Sequence, residues 1–344
     1  MSGVTESALP EGHAELVIDK FLEGRVVPFL GAGANLCDRP EGFEWKPEEN
    51  YLPSGAELAR HLAFKFRYTK VTNPCKAPEE LRCPEPDLDL ARISQYGDLT
   101  RGKGELYEKL RSVFARPFPA TKVHEFLASL PQAKPEKERP ANRNLLVVTT
   151  NYDDLMERAL EPCDVVFYDP DPADKPVRFW HRKPDGTIYK IVDPVSYDYP
   201  FFDKHPVVLK IHGTIDPSNP ERDGYVITED HYVEYLAEEP LEKLLPTDFL
   251  LKLRTNHLLF LGYSLRDWNL RVFLRRLTVG NSKLYKPWAV LPHADSVEEE
   301  LWQRHKIGII KLSLKTYIEG LQRELAARKI QPTDAPPGSA ASAG

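Results

Sequence analysis

Cysteine and methionine are scarce in this chain, whose 344 residues contain four cysteines and two methionines. The cysteines are Cys37, Cys75, Cys83 and Cys163, and no two of them form a Cys-x-x-Cys pair. A structural zinc site needs four ligands, which usually come as closely spaced pairs, so the sequence predicts no bound metal. Few, irregularly spaced cysteines also suit a reducing compartment, and we expect a cytoplasmic protein.

The sequence also lacks long apolar runs and an excess of basic residues. No apolar run approaches the length of a membrane span, and the polar, acidic segment 1–15 is unlike a secretory signal peptide. The formal net charge is -6 and the pI is about 6.0, which argues against broad affinity for the phosphates of nucleic acids. We therefore expect no membrane partner and no direct nucleic-acid binding. We expect Arg271, Arg275 and Arg276 to lie on a solvated helix face or at a subunit contact.

Four apolar runs each end in small and polar residues. The runs are 26–30, 145–148, 206–211 and 257–261. Continuous apolar runs are typical of buried parallel strands, and 155–160 after the second run is typical of a short helix. Open α/β sheets bind their ligands at the carboxyl ends of strands, so these four junctions are the candidate site.

The first two junctions each allow a structural role beside the functional one. After the first strand comes Gly31-Ala32-Gly33-Ala34-Asn35, where small residues allow backbone N–H groups to approach a phosphate, although a plain tight turn is the alternative. After the second comes Thr149-Thr150-Asn151-Tyr152-Asp153-Asp154. Asn and Asp side chains at such a turn also cap helices, and we expect one of the two adjacent aspartates to do so.

The other two junctions deliver a histidine and an acid. His212 comes directly after the third run and precedes Gly213. A single histidine is more often structural, but one at a strand end beside glycine is expected to face a cleft. The fourth run is followed by Gly262, Tyr263 and Ser264, and then by Asp267, for which a helix cap is the alternative role. We expect His124, His231 and His257 to be structural.

These junctions, in this order, resemble the sirtuin-like NAD-processing superfamily. The matching motifs are GAGA at 31–34, TTNYD at 149–153, KIHG at 210–213 and GYSLRD at 262–267, with weaker matches at 123–127 and 225–232. The resemblance covers roughly residues 17–325. It implies an α/β fold in which a Rossmann-like parallel sheet carries helices on both faces and a helical insertion subdomain.

The domain organisation follows from the same pattern. We expect a sirtuin-like domain at 15–330, with a helical insertion at about 45–140 over the cleft, and a disordered tail at 331–344, which is rich in Pro, Ala, Ser and Gly. Further expected elements are a first helix at 15–23, a charged loop at 131–140, a hairpin of 177–180 and 187–191 around the turn 184–186, last strands at 288–291 and 308–312, and a closing helix at 317–328.

The resemblance implies NAD⁺ as the substrate and assigns roles to residues. Asn151 falls on the asparagine that holds the ribose and the attacking water, His212 on the general base, and Asp153 on the position that contacts the nicotinamide carboxamide. The remaining cofactor-binding candidates are Gly31, Ala32, Gly33 and Ala34 at the pyrophosphate, Gly262, Ser264 and Asp267 at the adenosine half, and Asn35, Thr150 and Tyr263. For Tyr263, packing alone is the alternative.

Two departures from the protein-deacylating sirtuins are informative. The chain lacks the paired cysteines of their zinc module, and its asparagine motif begins TTN rather than TQN. In both features the chain resembles the bacterial sirtuin-like NAD hydrolases of anti-phage defence. This resemblance implies that the chain is an NAD⁺ glycohydrolase. The alternatives are an ADP-ribosyltransferase and a non-catalytic NAD- or ADP-ribose-binding assembly subunit, and the presence of both Asn151 and His212 argues against the second.

We also expect a form of control, because unregulated NAD⁺ cleavage is toxic. The sequence shows no recognisable sensor module, so oligomerisation or a partner would have to regulate the activity. We therefore predict a homo-oligomer. The resemblance adds two possible partners, because family members pair with a hexameric DNA-translocating ATPase or with an Argonaute-type protein.

Overall fold

The computed structural model describes residues 9–68, 88–130, 144–170, 178–237, 240–263, 268–278, 285–292 and 296–328. Its helices are α1 (His13–Leu22), α2 (Gly55–Phe66), α3 (Leu90–Arg101), α4 (Lys103–Phe114), α5 (Lys122–Ser129), α6 (Leu155–Ala159), α7 (Glu229–Ala237), α8 (Leu241–Leu244), α9 (Thr247–Thr255), α10 (Trp268–Thr278), α11 (Ser296–Arg304) and α12 (Leu314–Ala327). Its strands are β1 (Val26–Leu30), β2 (Leu146–Thr149), β3 (Asp164–Tyr168), β4 (Phe179–Arg182), β5 (Ile188–Lys190), β6 (Val207–Lys210), β7 (Gly213–Thr214), β8 (Gly224–Tyr225), β9 (His257–Leu261), β10 (Trp288–Val290) and β11 (Gly308–Ile310).

Several sequence predictions concern residues outside these ranges. They are the charged loop at 131–140, the tail at 331–344, and the residues Cys75, Cys83, Val177, Ser264 and Asp267.

Within the described ranges, nine strands form one mostly parallel sheet. Their order is β11-β10-β9-β1-β2-β6-β3-β4-β5, and only the pairings of β4 with β3 and with β5 are antiparallel. The hairpin of β4 and β5 turns at 183–187, with Gly186 at a φ of 83°. The predicted Rossmann-like parallel sheet and the predicted hairpin are confirmed.

The strand register brings the four predicted junctions together. Leu30 at the end of β1 is paired with Thr149 of β2 and with Leu261 of β9, and Thr149 is paired in turn with Lys210 of β6. Because these strands are parallel and end level with one another, the loops that follow them leave from one edge of the sheet. That edge is the carboxyl edge, where the sequence placed the site.

Burial on both faces of the sheet explains why the strands are continuous apolar runs. Val27 and Phe29 of β1 belong to one hydrophobic cluster, and Val26 and Leu30 belong to the opposite one. On one side, α1, α5, α6 and α12 cover the sheet, and on the other side the covering helices are α7 to α11. Helices on both faces are therefore confirmed.

Three helices of the predicted insertion, α2, α3 and α4, form a separate cluster. Its members include Leu62, Phe66, Ile93 and Leu110, together with Tyr152 from the second junction. By contrast, α5 packs against α12 in the layer that covers the sheet. The clustered helices therefore lie against the carboxyl edge rather than beside the sheet.

In the described part of the chain, no helix is both long enough and apolar enough to cross a membrane.

Candidate active site

A cavity of about 300 Å³ lies between the carboxyl edge of the sheet and the helices α2 to α4. It is lined by Gly31, Ala32, Asn35, Pro53, Ser54, Gly55, Leu58, Leu90, Phe114, Thr150, Asn151, Tyr152, Asp153, His212, Tyr232, Gly262 and Tyr263. The sheet edge supplies most of the polar groups, and the helical subdomain supplies the apolar ones. All four predicted junctions therefore meet in one cavity with a polar wall and an apolar wall.

Thr149 fixes the start of the asparagine turn. Its hydroxyl donates to the carbonyl of Leu30 at 2.9 Å and accepts from the backbone N–H of Asn151 at 3.0 Å. The amide Nδ2 of Asn151 donates to the carbonyl of Gly31 at 3.2 Å. The half-buried Asn151 side chain is thereby tied to the first junction and held at the cavity.

Asp153 is buried in the cavity wall and binds two donors. Its Oδ2 accepts from Nδ2 of Asn35 at 2.7 Å, and its Oδ1 accepts from the backbone N–H of Leu155 at 3.1 Å. Burial raises the pKa of Asp153 above its ordinary value, while the charge of Lys210 opposes the shift. The adjacent Asp154 instead pairs with Arg158 at 3.0 Å. Asp154 stands at the N-cap position of α6 without a side-chain cap bond. The carboxyl that accepts the first N–H of α6 belongs to Asp153, the aspartate that the sequence assigns to nicotinamide.

His212 is held between two tyrosines of α7. Its ring lies edge-on to those of Tyr235 and Tyr232, with centroid distances of 5.7 Å and 6.5 Å, and its side chain is almost fully buried. Gly213 has a φ of 94°, and a Cβ there would lie 2.1 Å from the carbonyl oxygen of Gly224. The glycine after the histidine is therefore required by the close approach of β7 to β8, which sets where the chain leaves the sheet.

The glycines of the first and fourth junctions pack against one another. Gly262 has a φ of 75°, and a Cβ there would lie 2.2 Å from the backbone nitrogen of Ala34. The N–H of Gly33 donates to the carbonyl of Gly262 at 3.0 Å. This contact packs the half-buried Gly33 against the fourth junction, and Ala34 is fully buried. Gly33 and Ala34 are not among the described residues that line the cavity, whereas Gly31, Ala32 and Asn35 are.

Tyr263 makes a specific polar contact in addition to packing. Its hydroxyl donates to Oγ1 of Thr150 at 3.1 Å, and both residues line the cavity. Side chains thus connect the fourth junction to the second. Backbone contacts connect the fourth junction to the first.

Residues 145–310 match the family model of the SIR2-like domain. The chain contains a SIR2-like domain. The match confirms the predicted sirtuin-like superfamily assignment for these residues, and it supports an NAD-processing family. A search of the curated proteins found no match. The matched segment contains Asn151, Asp153, His212 and the fourth junction.

Several lining residues of the SIR2-like cavity were not predicted. The apolar wall comes from Leu58 and Leu90 of the subdomain and from Phe114, whose ring packs edge-on to Tyr152 at 5.4 Å. No motif marks these positions, because their place depends on how α2 to α4 pack on the sheet. Tyr232 was missed as well, although it lies in the weaker match at 225–232.

Two of the histidines that the sequence predicts to be structural have structural partners. His124 accepts the backbone N–H of Thr121 at 3.2 Å at the start of α5, and burial lowers its pKa to about 4. His257 stacks on Trp288 with a centroid distance of 4.7 Å. Among the described residues, no group of three or more His, Cys, Asp or Glu side chains is arranged to hold a metal ion.

Proposed function

We propose that this protein is an NAD⁺ glycohydrolase that cleaves the bond between nicotinamide and ribose. The observation that carries the proposal is the convergence of Asn151, Asp153 and His212 on one cavity. The three side chains come from two neighbouring strand ends, and the SIR2-like match supports NAD⁺ as the substrate. An amide, a carboxyl and an imidazole are the groups that this reaction needs.

The reaction releases a good leaving group and consumes one water molecule. The nicotinamide ring is cationic while it is attached, and it takes the electrons of the C–N bond as it leaves, so the ribose carbon becomes oxocarbenium-like. The oxygen of water then bonds to that carbon and loses a proton to His212. The products are nicotinamide, ADP-ribose and one proton. Most of the rate gain is expected from positioning and from preorganised polar groups.

The two walls of the cavity suit the two parts of the leaving group. Asp153 and Asn35 present a carboxyl and an amide to the nicotinamide carboxamide, and Phe114 and Leu58 present apolar surface to its ring. The cavity of about 300 Å³ lies at the lower end of the ~300–1,000 Å³ range of small-molecule sites. We therefore place the nicotinamide and its ribose inside and extend the pyrophosphate past Gly31 and Ala32.

We further propose that the activity depletes NAD⁺ in a bacterial anti-phage system in the cytoplasm. The supporting features are the TTN motif at 149–151 and the lack of any Cys-x-x-Cys pair in the sequence. We propose a homo-oligomer regulated by a partner, either a hexameric DNA-translocating ATPase or an Argonaute-type protein, because unregulated NAD⁺ cleavage is toxic.

The test is to incubate the purified full chain with NAD⁺, alone and with the product of its genomic neighbour, and to quantify both products. Equal amounts of nicotinamide and ADP-ribose support hydrolysis, whereas a shortfall of free ADP-ribose indicates transfer to an acceptor. Binding of NAD⁺ without any cleavage would instead support the alternative of a non-catalytic assembly subunit. The same assay is applied to His212→Ala, which removes the proposed base. His257→Ala is its matched control, because His257 stacks on Trp288 and does not line the cavity.

A further inference from the structure

Lys210 is a fully buried lysine beneath the asparagine turn. It is the last residue of β6, and its side chain has no exposure to solvent. Its Nζ donates to the carbonyl of Tyr152 at 3.1 Å, to the carbonyl of Asp153, and to Oε1 of Glu157 at 2.8 Å. An ammonium group has three N–H donors, and these three acceptors match that number.

The charge of Lys210 is balanced from α6. Glu157 is also buried, and its Oε1 lies 3.8 Å from the guanidinium of Arg182. A buried ion pair is weak support for stability, because desolvation of both ions offsets their attraction. Stability therefore does not explain why a lysine ends an otherwise apolar strand. Its hydrogen bonds to the carbonyls of Tyr152 and Asp153 suggest that it holds the asparagine turn in place.

We propose that Lys210 is a positioning residue that sets the geometry between Asn151 and His212. This inference rests on the proposed NAD⁺ cleavage. The backbone of β6 carries His212 into the cavity two residues later, while the side chain of Lys210 reaches across to the carbonyls that directly follow Asn151. One strand end therefore places the general base and also holds the turn that carries the asparagine.

Lys210 also acts on Asp153 through charge. Its ammonium group opposes the effect of burial on the pKa of Asp153, as does the hydrogen bond from Asn35. Among the described residues, Asp154 on the same turn also acts on Asp153, in the opposite direction. Glu157 offsets part of the lysine charge from α6, and His212 lines the same cavity. Removing the ammonium group should therefore raise the pKa of Asp153 further. We take the ionised carboxyl of Asp153 as the form that binds nicotinamide, so the acid limb of the rate profile, where the rate falls at low pH, should move to higher pH.

The test uses the full chain with a double variant, Lys210→Met with Glu157→Gln, so that no unbalanced charge stays buried. Lys252→Met is the matched control, because Lys252 is also buried and donates to a backbone carbonyl, that of Asn144 at 3.0 Å, outside the cavity. The readouts are kcat and KM across pH, and amide hydrogen exchange of peptides that cover 149–160. We expect kcat to fall about 100-fold, the loss expected for a misplacement of about 1 Å.

The outcomes separate this inference from the proposed function. A lower kcat, a displaced acid limb and faster exchange at 149–160, all without change in Lys252→Met, support positioning by Lys210. A double variant that melts earlier but keeps wild-type kcat and the wild-type acid limb overturns it. If the wild type does not cleave NAD⁺, the proposed function fails, and hydrogen exchange then decides: faster exchange at 149–160 supports positioning, and unchanged exchange overturns it.

Discussion

The amide of Asn35 donates a 2.7 Å hydrogen bond to the buried carboxyl of Asp153. This contact joins the first junction to the second, and it is one of the interactions that oppose the raised pKa of Asp153. A glycine-rich turn that the sequence assigned to phosphate thus also tunes the carboxyl assigned to nicotinamide. We therefore expect the dependence of the proposed activity on pH to involve both junctions.

Asn35→Ala should weaken NAD⁺ cleavage more at acidic pH than at alkaline pH. Without the amide, the ionised form of Asp153 loses a hydrogen bond, so its pKa rises further and a smaller fraction is ionised at low pH. Hydrogen bonds to charged groups contribute about 1.5–3 kcal/mol, so we expect a loss of about tenfold or more in kcat/KM on the acid side. The measurement is kcat/KM against pH for both proteins. Parallel profiles would contradict the assignment of the acid limb to Asp153.

Asp153→Asn should stabilise the protein at neutral pH while it lowers activity. The pKa of Asp153 is raised in the folded state, so folding favours the neutral form. The stability of the wild type is then greatest below the pKa of the unfolded chain, about 3.9, and falls as pH rises from there to the folded pKa. The gain in Tm for the variant should therefore be largest at neutral pH and shrink as pH falls. Thermal denaturation across pH checks this, and a variant that is less stable at pH 7 contradicts it.

The fold could be predicted from the sequence wherever both faces of a strand are buried. The limits of β1 and β9 agree with the predicted runs 26–30 and 257–261, because the buried positions of such strands on both faces of the sheet are apolar. The four junctions could be predicted to meet, because parallel strands present their carboxyl ends at one edge. Both results needed only local patterns and the general geometry of a sheet.

The rest of the site depends on contacts that no local pattern encodes. The sequence assigned Gly33 to a phosphate contact, but the structure packs it against the backbone of Gly262. Leu58 and Phe114 line the cavity only because the subdomain rests on the sheet edge. The sequence also left open which aspartate caps α6. Asp154 occupies the N-cap position without a side-chain cap bond, and the carboxyl of Asp153, one residue earlier, reaches the N–H of Leu155 instead.

His212→Ala and Asn151→Ala should each remove most NAD⁺ cleavage. Loss of a positioned base typically costs about 10²–10⁴-fold in rate, and Asn151 holds its place through one hydrogen bond to Gly31. The two variants should differ in stability, because His212 is packed between Tyr232 and Tyr235 whereas Asn151 is half-buried. Turnover is compared well below both melting transitions. Wild-type turnover in His212→Ala would rule out this residue as the base.

Gly262→Ala should disrupt both the fold of the site and its activity. The backbone of Gly262 has a φ of 75°, which side chains disfavour, and an added Cβ would lie 2.2 Å from the backbone nitrogen of Ala34. The first and fourth junctions must therefore separate to admit the alanine. Gly12→Ala is the matched control, since Gly12 has a φ of 70° but nothing within 4 Å of the added Cβ.

Both variants carry the left-handed backbone penalty of about 1–2 kcal/mol, so the excess destabilisation of Gly262→Ala measures the contact between the junctions. We expect Gly12→Ala to keep wild-type kcat and KM, because it lies at the start of α1, away from the cavity. We expect Gly262→Ala to lose activity beyond what its unfolded fraction explains, because Gly31, Ala32 and Asn35 move with the first junction. Equal free energies of unfolding for the two variants, measured by urea titration, would show that the contact contributes nothing.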